Sequence, residues 1–174
     1  MTVQVVNSAI HFAAWFIQRA AKSRRELSNI ELQNMLFLAQ LHYGITNGGT
    51  LIPSMFVCYR NGFYEPNVKQ ALKFNLSLET GKFQNEELEV LENVWNKYSS
   101  LTEDEILTQV WALSLWKNNY RQNNEVIVNP LEYTPRKSLR LSSARSENKA
   151  KIRLSQNGPV EVSPWCPRKV NKKK

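Results

Sequence analysis

Two Ser/Thr-x-x-Glu boxes constrain this chain more than any other feature: Ser28-Asn29-Ile30-Glu31 and Thr102-Glu103-Asp104-Glu105 each open onto apolar residues at helical spacing. In such a box the hydroxyl accepts from the glutamate's backbone N–H and the carboxylate reaches back to the cap N–H, so two orphan donors of a helix start are satisfied together. The first box leads into Met35, Leu36, Ala39 and Tyr43, and that helix is expected to end at Asn47-Gly48-Gly49, where the backbone can turn left-handed. The second leads into Ile106, Leu107, Val110, Trp111 and Ser114, again one face. Upstream, Val6, Ala9, Ile10, Ala13, Phe16, Ile17 and Ala20 mark a further helix that turns polar at Lys22-Ser23-Arg24-Arg25. Asn85 opens another, with Glu86 and Glu87 in its first turn and Leu88, Leu91, Val94, Trp95 and Tyr98 on its buried face.

One stretch breaks the pattern. Pro53, the β-prone run Met55 to Tyr59, then Asn61-Gly62 and Phe63-Tyr64 predict a short strand or hairpin turning at Asn61-Gly62. Pro66 suits the first turn of a short helix, Asn67 to Phe74, and a polar loop follows through Thr80-Gly81. The expected fold is mainly α: a compact multi-helix domain over 1–120 with a hairpin or irregular insert near 51–64. A connector over 121–135 follows, in which Val126-Ile127-Val128 can add a strand or dock, and then a basic, unstructured tail over 136–174.

Charge divides the chain the same way. Residues 1–120 carry ten Lys/Arg and eleven Asp/Glu, whereas 121–174 carry thirteen Lys/Arg against four Glu, so the net +8 belongs to the tail. Its basic positions Arg136, Lys137, Lys149, Lys151, Lys172, Lys173 and Lys174 are candidates for nucleic-acid phosphates, or serve only solubility or an acidic protein partner. Aromatics interleaved with those charges, as a single-strand platform requires, are missing from the tail.

The residues needed for catalysis are scarce. Asp104 is the one aspartate and sits in a cap; His11 and His42 stand alone on separate helices, in no metal-ligand spacing. Cys58 lies in an apolar run and reads as packing, and neither phosphate-loop nor nucleophile-elbow motifs occur. The expectation is a non-enzymatic protein with no cofactor and no metal. An enzyme would require carboxylates such as Glu31 and Glu65 to meet in a pocket. No signal peptide or membrane-length apolar run is seen, which predicts a reduced, cytoplasmic protein without a membrane partner. Of the tryptophans, Trp95 and Trp111 fall on apolar faces and are expected in the core, Trp15 and Trp116 lie at face edges where they can anchor a partner, and Trp165 in the polar tail reads as a contact residue.

Over roughly residues 5–117 these segments resemble the Panacea domain, the antitoxin domain of SocA-like and phage-associated GepA-like proteins. The pieces are Ala13-Ala14-Trp15-Phe16-Ile17; the helix Asn29 to Gln40, similar to that family's Lys-Leu-Gln-Lys-Leu-Leu-Tyr run; Phe56 to Pro66; and the closing pair Leu91 to Tyr98 and Leu101 to Trp116. Glu31 and Asn34 stand where the family has lysines, Val57-Cys58 where it has Ala-Trp, and Gly62-Phe63-Tyr64 where it has Gly-Pro-Val. The resemblance implies an antitoxin that neutralises a toxin protein or delivers it to a protease. The implied partner surface is the 56–66 loop and adjoining helix faces, here Tyr59, Arg60, Phe63 and Tyr64 with Trp15 and Trp116. It implies no catalytic residue.

Overall fold

The computed structural model describes residues 7–130 and the backbone of two strands at 151–155 and 158–162. Six helices run in chain order, α1 Ala9–Lys22, α2 Asn29–Thr46, α3 Pro66–Lys73, α4 Asn85–Tyr98, α5 Glu103–Ala112 and α6 Ser114–Asn119. A small sheet accompanies them, β1 Phe56–Tyr59, β2 Gly62–Tyr64 and β3 Val126–Val128, in the order β2-β1-β3 with both pairings antiparallel. The architecture is mainly helical, and both capping boxes form as the sequence predicts. Contacts divide the chain into two units, 1–134 and 135–174. In the second unit β4 Lys151–Ser155 and β5 Gly158–Val162 form an antiparallel hairpin inside the stretch expected to be unstructured; the rest of that expectation concerns residues outside those described. Among the described residues no helix is long and apolar enough to cross a membrane.

α2 is the axis of the first unit and packs against α1, α3, α4, α5 and β2. Its ten residues from Glu31 to Gln40 are all buried, so it presents no single core face of the kind the spacing suggested; its polar members Glu31, Gln33, Asn34 and Gln40 are enclosed with hydrogen-bond partners. Phe37 stacks on Phe63 with ring centroids 3.7 Å apart and meets Phe56 edge-on at 5.5 Å, tying α2 to the sheet. Each such ring contributes roughly 1.5–3 kcal/mol of burial.

Two local outcomes differ from expectation. The hairpin turns at Arg60-Asn61, since Tyr59 pairs with Gly62, and Gly62 supplies the positive φ of 93° just after the turn. The last helical run is broken at Leu113, whose ψ of 134° ends α5 and starts α6, although no Pro or Gly stands there.

Candidate interaction surface

Three buried amides on α2 hold the segment between residues 49 and 66 in place. Gln40 Oε1 accepts from the N–H groups of Leu51 and Ile52 at 2.9 and 2.7 Å. Gln33 Oε1 accepts from Glu65 N–H at 2.8 Å. Asn34 Oδ1 accepts from Phe63 N–H at 3.0 Å while its Nδ2 donates to the carbonyls of Asn61 and Ile30 at 3.0 and 2.9 Å. A buried segment of irregular backbone needs such partners, since each unmet donor or acceptor costs about 1–3 kcal/mol. Glu65 is fully buried for the same purpose: it caps α3 by accepting from Val68 N–H at 2.7 Å, and takes further bonds from Ser54 and Asn67.

What this frame presents to solvent is an aromatic ledge. Trp111 Nε1 donates to the Arg60 carbonyl at 3.1 Å and Trp116 Nε1 to the Tyr59 carbonyl at 3.0 Å, so α5 and α6 clamp the hairpin turn from one side. The two indoles lie 6.0 Å apart, and Trp116 stacks on Tyr120 at 4.5 Å. On the other side of Tyr59, Tyr64 meets it edge-on at 5.0 Å and donates its hydroxyl to Glu125 at 2.7 Å. Lys69 sits 3.8 Å from the centre of the Tyr64 ring and 3.6 Å from Glu125, joining α3 to the residue just before β3. Burial, then the nearby Glu103 and Glu125 carboxylates, push the Tyr59 hydroxyl above its ordinary pKa; burial and the bond to Glu125 do the same for Tyr64. A cleft of about 180 Å³ opens beside Tyr59 and Tyr64, closed by Gln33, Lys69 and Leu72.

Of the residues expected at a partner surface, Tyr59 is half-buried, Arg60 exposed and Trp116 half-buried; Trp116 binds the Tyr59 carbonyl and Trp111 the Arg60 carbonyl. Phe63 has to be removed from that surface: it is fully buried against Phe37, its strand position facing α2. Tyr64 is also buried, though it lines the cleft. Trp15 is half-buried on α1, edge-on to Phe16, and has no ring contact with the ledge aromatics among the described residues. Trp111, expected in the core, is 37% exposed and belongs to the ledge. The break at Leu113, which no local residue signals, turns the two indoles onto one turn. Tyr120, Lys69 and Glu125 were also missed, because only tertiary folding brings them together.

Of the basic candidates, Arg136, Lys137, Lys149, Lys172, Lys173 and Lys174 lie outside the described residues, as does Trp165; Lys151 lies in β4. Glu31 and Glu65 do not gather into a reactive pair: Glu31 closes its capping box and takes a 2.6 Å ion pair from Arg25, while Glu65 caps α3. Cys58 is fully buried and burial pushes its thiol up to about 11, which leaves it protonated near neutrality. His11 accepts from Ser8 N–H within its own helix start, and His42 faces the Tyr98 hydroxyl at 3.3 Å. Among the described residues no three His, Cys, Asp or Glu are placed to hold a metal. No family model, no curated protein and no solved structure matches this chain.

Proposed function

We propose that this chain is a non-enzymatic, cytoplasmic protein-binding module of the antitoxin type, which neutralises a cognate toxin protein or delivers it to a protease. The observation that carries the reading is the ledge: Trp and Tyr side chains, types that dominate interface hot spots, sit together against a hairpin turn held by buried amides and two indole hydrogen bonds. Pre-fixed anchors lose little entropy on binding, which favours affinity. The likeness of residues 5–117 to the Panacea domain supports the same function. The test is to express the product of the adjacent reading frame, alone and with this chain. The expected result is growth arrest relieved by co-expression, with a stable complex weakened about tenfold or more by Trp111→Ala, a truncation of a central aromatic anchor. A neighbour that causes no arrest, or an arrest unrelieved by this chain, overturns the reading.

The second reading is a nucleic-acid-associated protein of a phage or mobile element, favoured by the concentration of thirteen Lys/Arg beyond residue 120. It requires DNA or RNA retention that falls steeply with salt and disappears when 136–174 are removed.

A further inference from the structure

The dipeptide Asn-Gly occurs twice among the described residues, and the fold treats its two copies in opposite ways. Asparagine before glycine can react within its own chain, because glycine has no Cβ to keep its backbone nitrogen away from the asparagine Cγ. Attack requires the asparagine ψ to swing that nitrogen into reach. Asn47 and Gly48 are exposed at the end of α2, where Asn47 rests at ψ −16°. No group among the described residues accepts from the Gly48 N–H. No atom lies within 4 Å of the place a Gly48 Cβ would take, and Gly49 follows, so the swing meets little in its way. The Thr46 hydroxyl lies 2.5 Å from Asn47 Oδ1, a donor beside the oxygen on which charge builds during attack.

The second copy is clamped. Asn61 is half-buried, and Gly62 is buried in β2 and paired with Tyr59. The peptide unit joining them carries the Asn61 carbonyl, which accepts from Asn34 Nδ2 at 3.0 Å. A Cβ on Gly62 would fall 2.1 Å from Asn34 Oδ1, so the same amide stands against the glycine as well. Turning the Gly62 nitrogen towards the Asn61 side chain breaks these contacts and must wait for local opening of the hairpin.

We propose that Asn47 is a site of spontaneous deamidation and isoaspartate formation in the folded chain, from which Asn61 is shielded. Hydroxide takes the Gly48 amide proton, and the nitrogen forms a bond to Asn47 Cγ. The Cγ–Nδ2 bond breaks, Nδ2 leaves as ammonia with a proton from water, and a cyclic imide remains. Water then opens the imide at Cγ to give aspartate, or at the backbone carbonyl to give isoaspartate. Both products put a carboxylate at the end of α2, where the helix dipole is already negative. Isoaspartate also routes the backbone through the side-chain methylene, just before a segment that Gln40 holds through the Gly49 carbonyl and the Leu51 and Ile52 N–H groups. Modification therefore loosens the anchor of the chain leading into β1.

The test ages the full chain in mildly alkaline buffer, both native and unfolded in guanidinium chloride. Peptide mass spectrometry follows Asn47 and Asn61 separately, apart from Asn157, which lies outside the described residues, and isoaspartate methyltransferase labelling scores the isoaspartate. Unfolded, the two sites are expected to react within about threefold of each other, whereas in the native chain Asn47 is expected to outpace Asn61 by about tenfold or more. Gly48→Ala is expected to slow Asn47 by about tenfold while leaving Asn61 within about twofold, with circular dichroism confirming its fold. Native chain modified at Asn47 is expected to show a lower urea midpoint than fresh protein. Equal native rates at the two sites, a faster Asn61, or an Asn47 that folding slows as much as Asn61 overturns the proposal. An unchanged midpoint after complete modification overturns the loosening of the anchor alone.

Discussion

Asn34 does more than its size suggests. Its one amide serves a donor and two acceptors in a fully buried position, and Gly62 is packed so closely that a Cβ there would fall 2.1 Å from Asn34 Oδ1. Asn34→Ala leaves the buried Phe63 N–H and the half-buried Asn61 carbonyl unmet, and a loss of about 2–3 kcal/mol in urea denaturation is expected. The two positive-φ glycines separate backbone strain from collision. Gly48 has φ 68° and open space around its Cβ position, so Gly48→Ala should cost only the left-handed penalty of about 1–2 kcal/mol. Gly62→Ala adds displacement of Asn34 and should be clearly worse; equal costs at the two sites would refute this account of the hairpin. His42 gives a pH signature. Burial first, then the nearby Lys97, hold its pKa below the ordinary value of 6.5. The unfolded chain therefore binds the proton more readily, so the stability that His42 contributes is complete above about pH 6.5 and is lost as pH falls from there towards the folded value. Urea midpoints taken at about pH 7.5 and about pH 5.5 should fall on acidification, and by less in His42→Gln, which cannot charge.

At the scale of elements, what the chain writes locally was legible and what it decides by packing was not. Helix starts were readable because Ser28 with Glu31 and Thr102 with Glu105 satisfy backbone donors within four residues, and Gly48 marks the end of α2 in the same local way. The all-round burial of α2 was hidden because Gln33, Asn34 and Gln40 look like a solvent face; their amides are instead spent on loop backbone up to 32 residues away. The break at Leu113 was equally hidden, and with it the exposure of Trp111 and so half of the candidate surface. Because α2 and the hairpin share one aromatic contact set, damage to the helix should spread to the sheet. Phe37→Ala should cost about 3–5 kcal/mol and speed amide exchange across Phe56 to Tyr64 while the α4–α5 pair stays protected longer. Uniform loss of protection would instead mean that the first unit opens as one body.

For the whole molecule the decisive fact is that folding and charge are segregated. Residues 1–120 are close to neutral, carrying ten Lys/Arg and eleven Asp/Glu, and the described core lies within the unit ending at Thr134. The net positive charge lies beyond it, since residues 135–174 carry twelve Lys/Arg against two Glu. A core that needs none of that charge can keep its stability without it, whereas retention on a polyanion scales with the number of cations that displace counterions. A chain ended after Thr134 should therefore melt cooperatively within about 3 °C of the full chain, a shift equivalent to less than roughly 1 kcal/mol for a domain of this size. It should also elute from heparin at much lower salt. If the melting point instead drops by about 10 °C or more, the basic segment is part of the folding unit, and its charge cannot be assigned a separate role. If the melting point holds and toxin neutralisation holds with it, recognition resides in the helical unit, which carries Trp111 and Trp116.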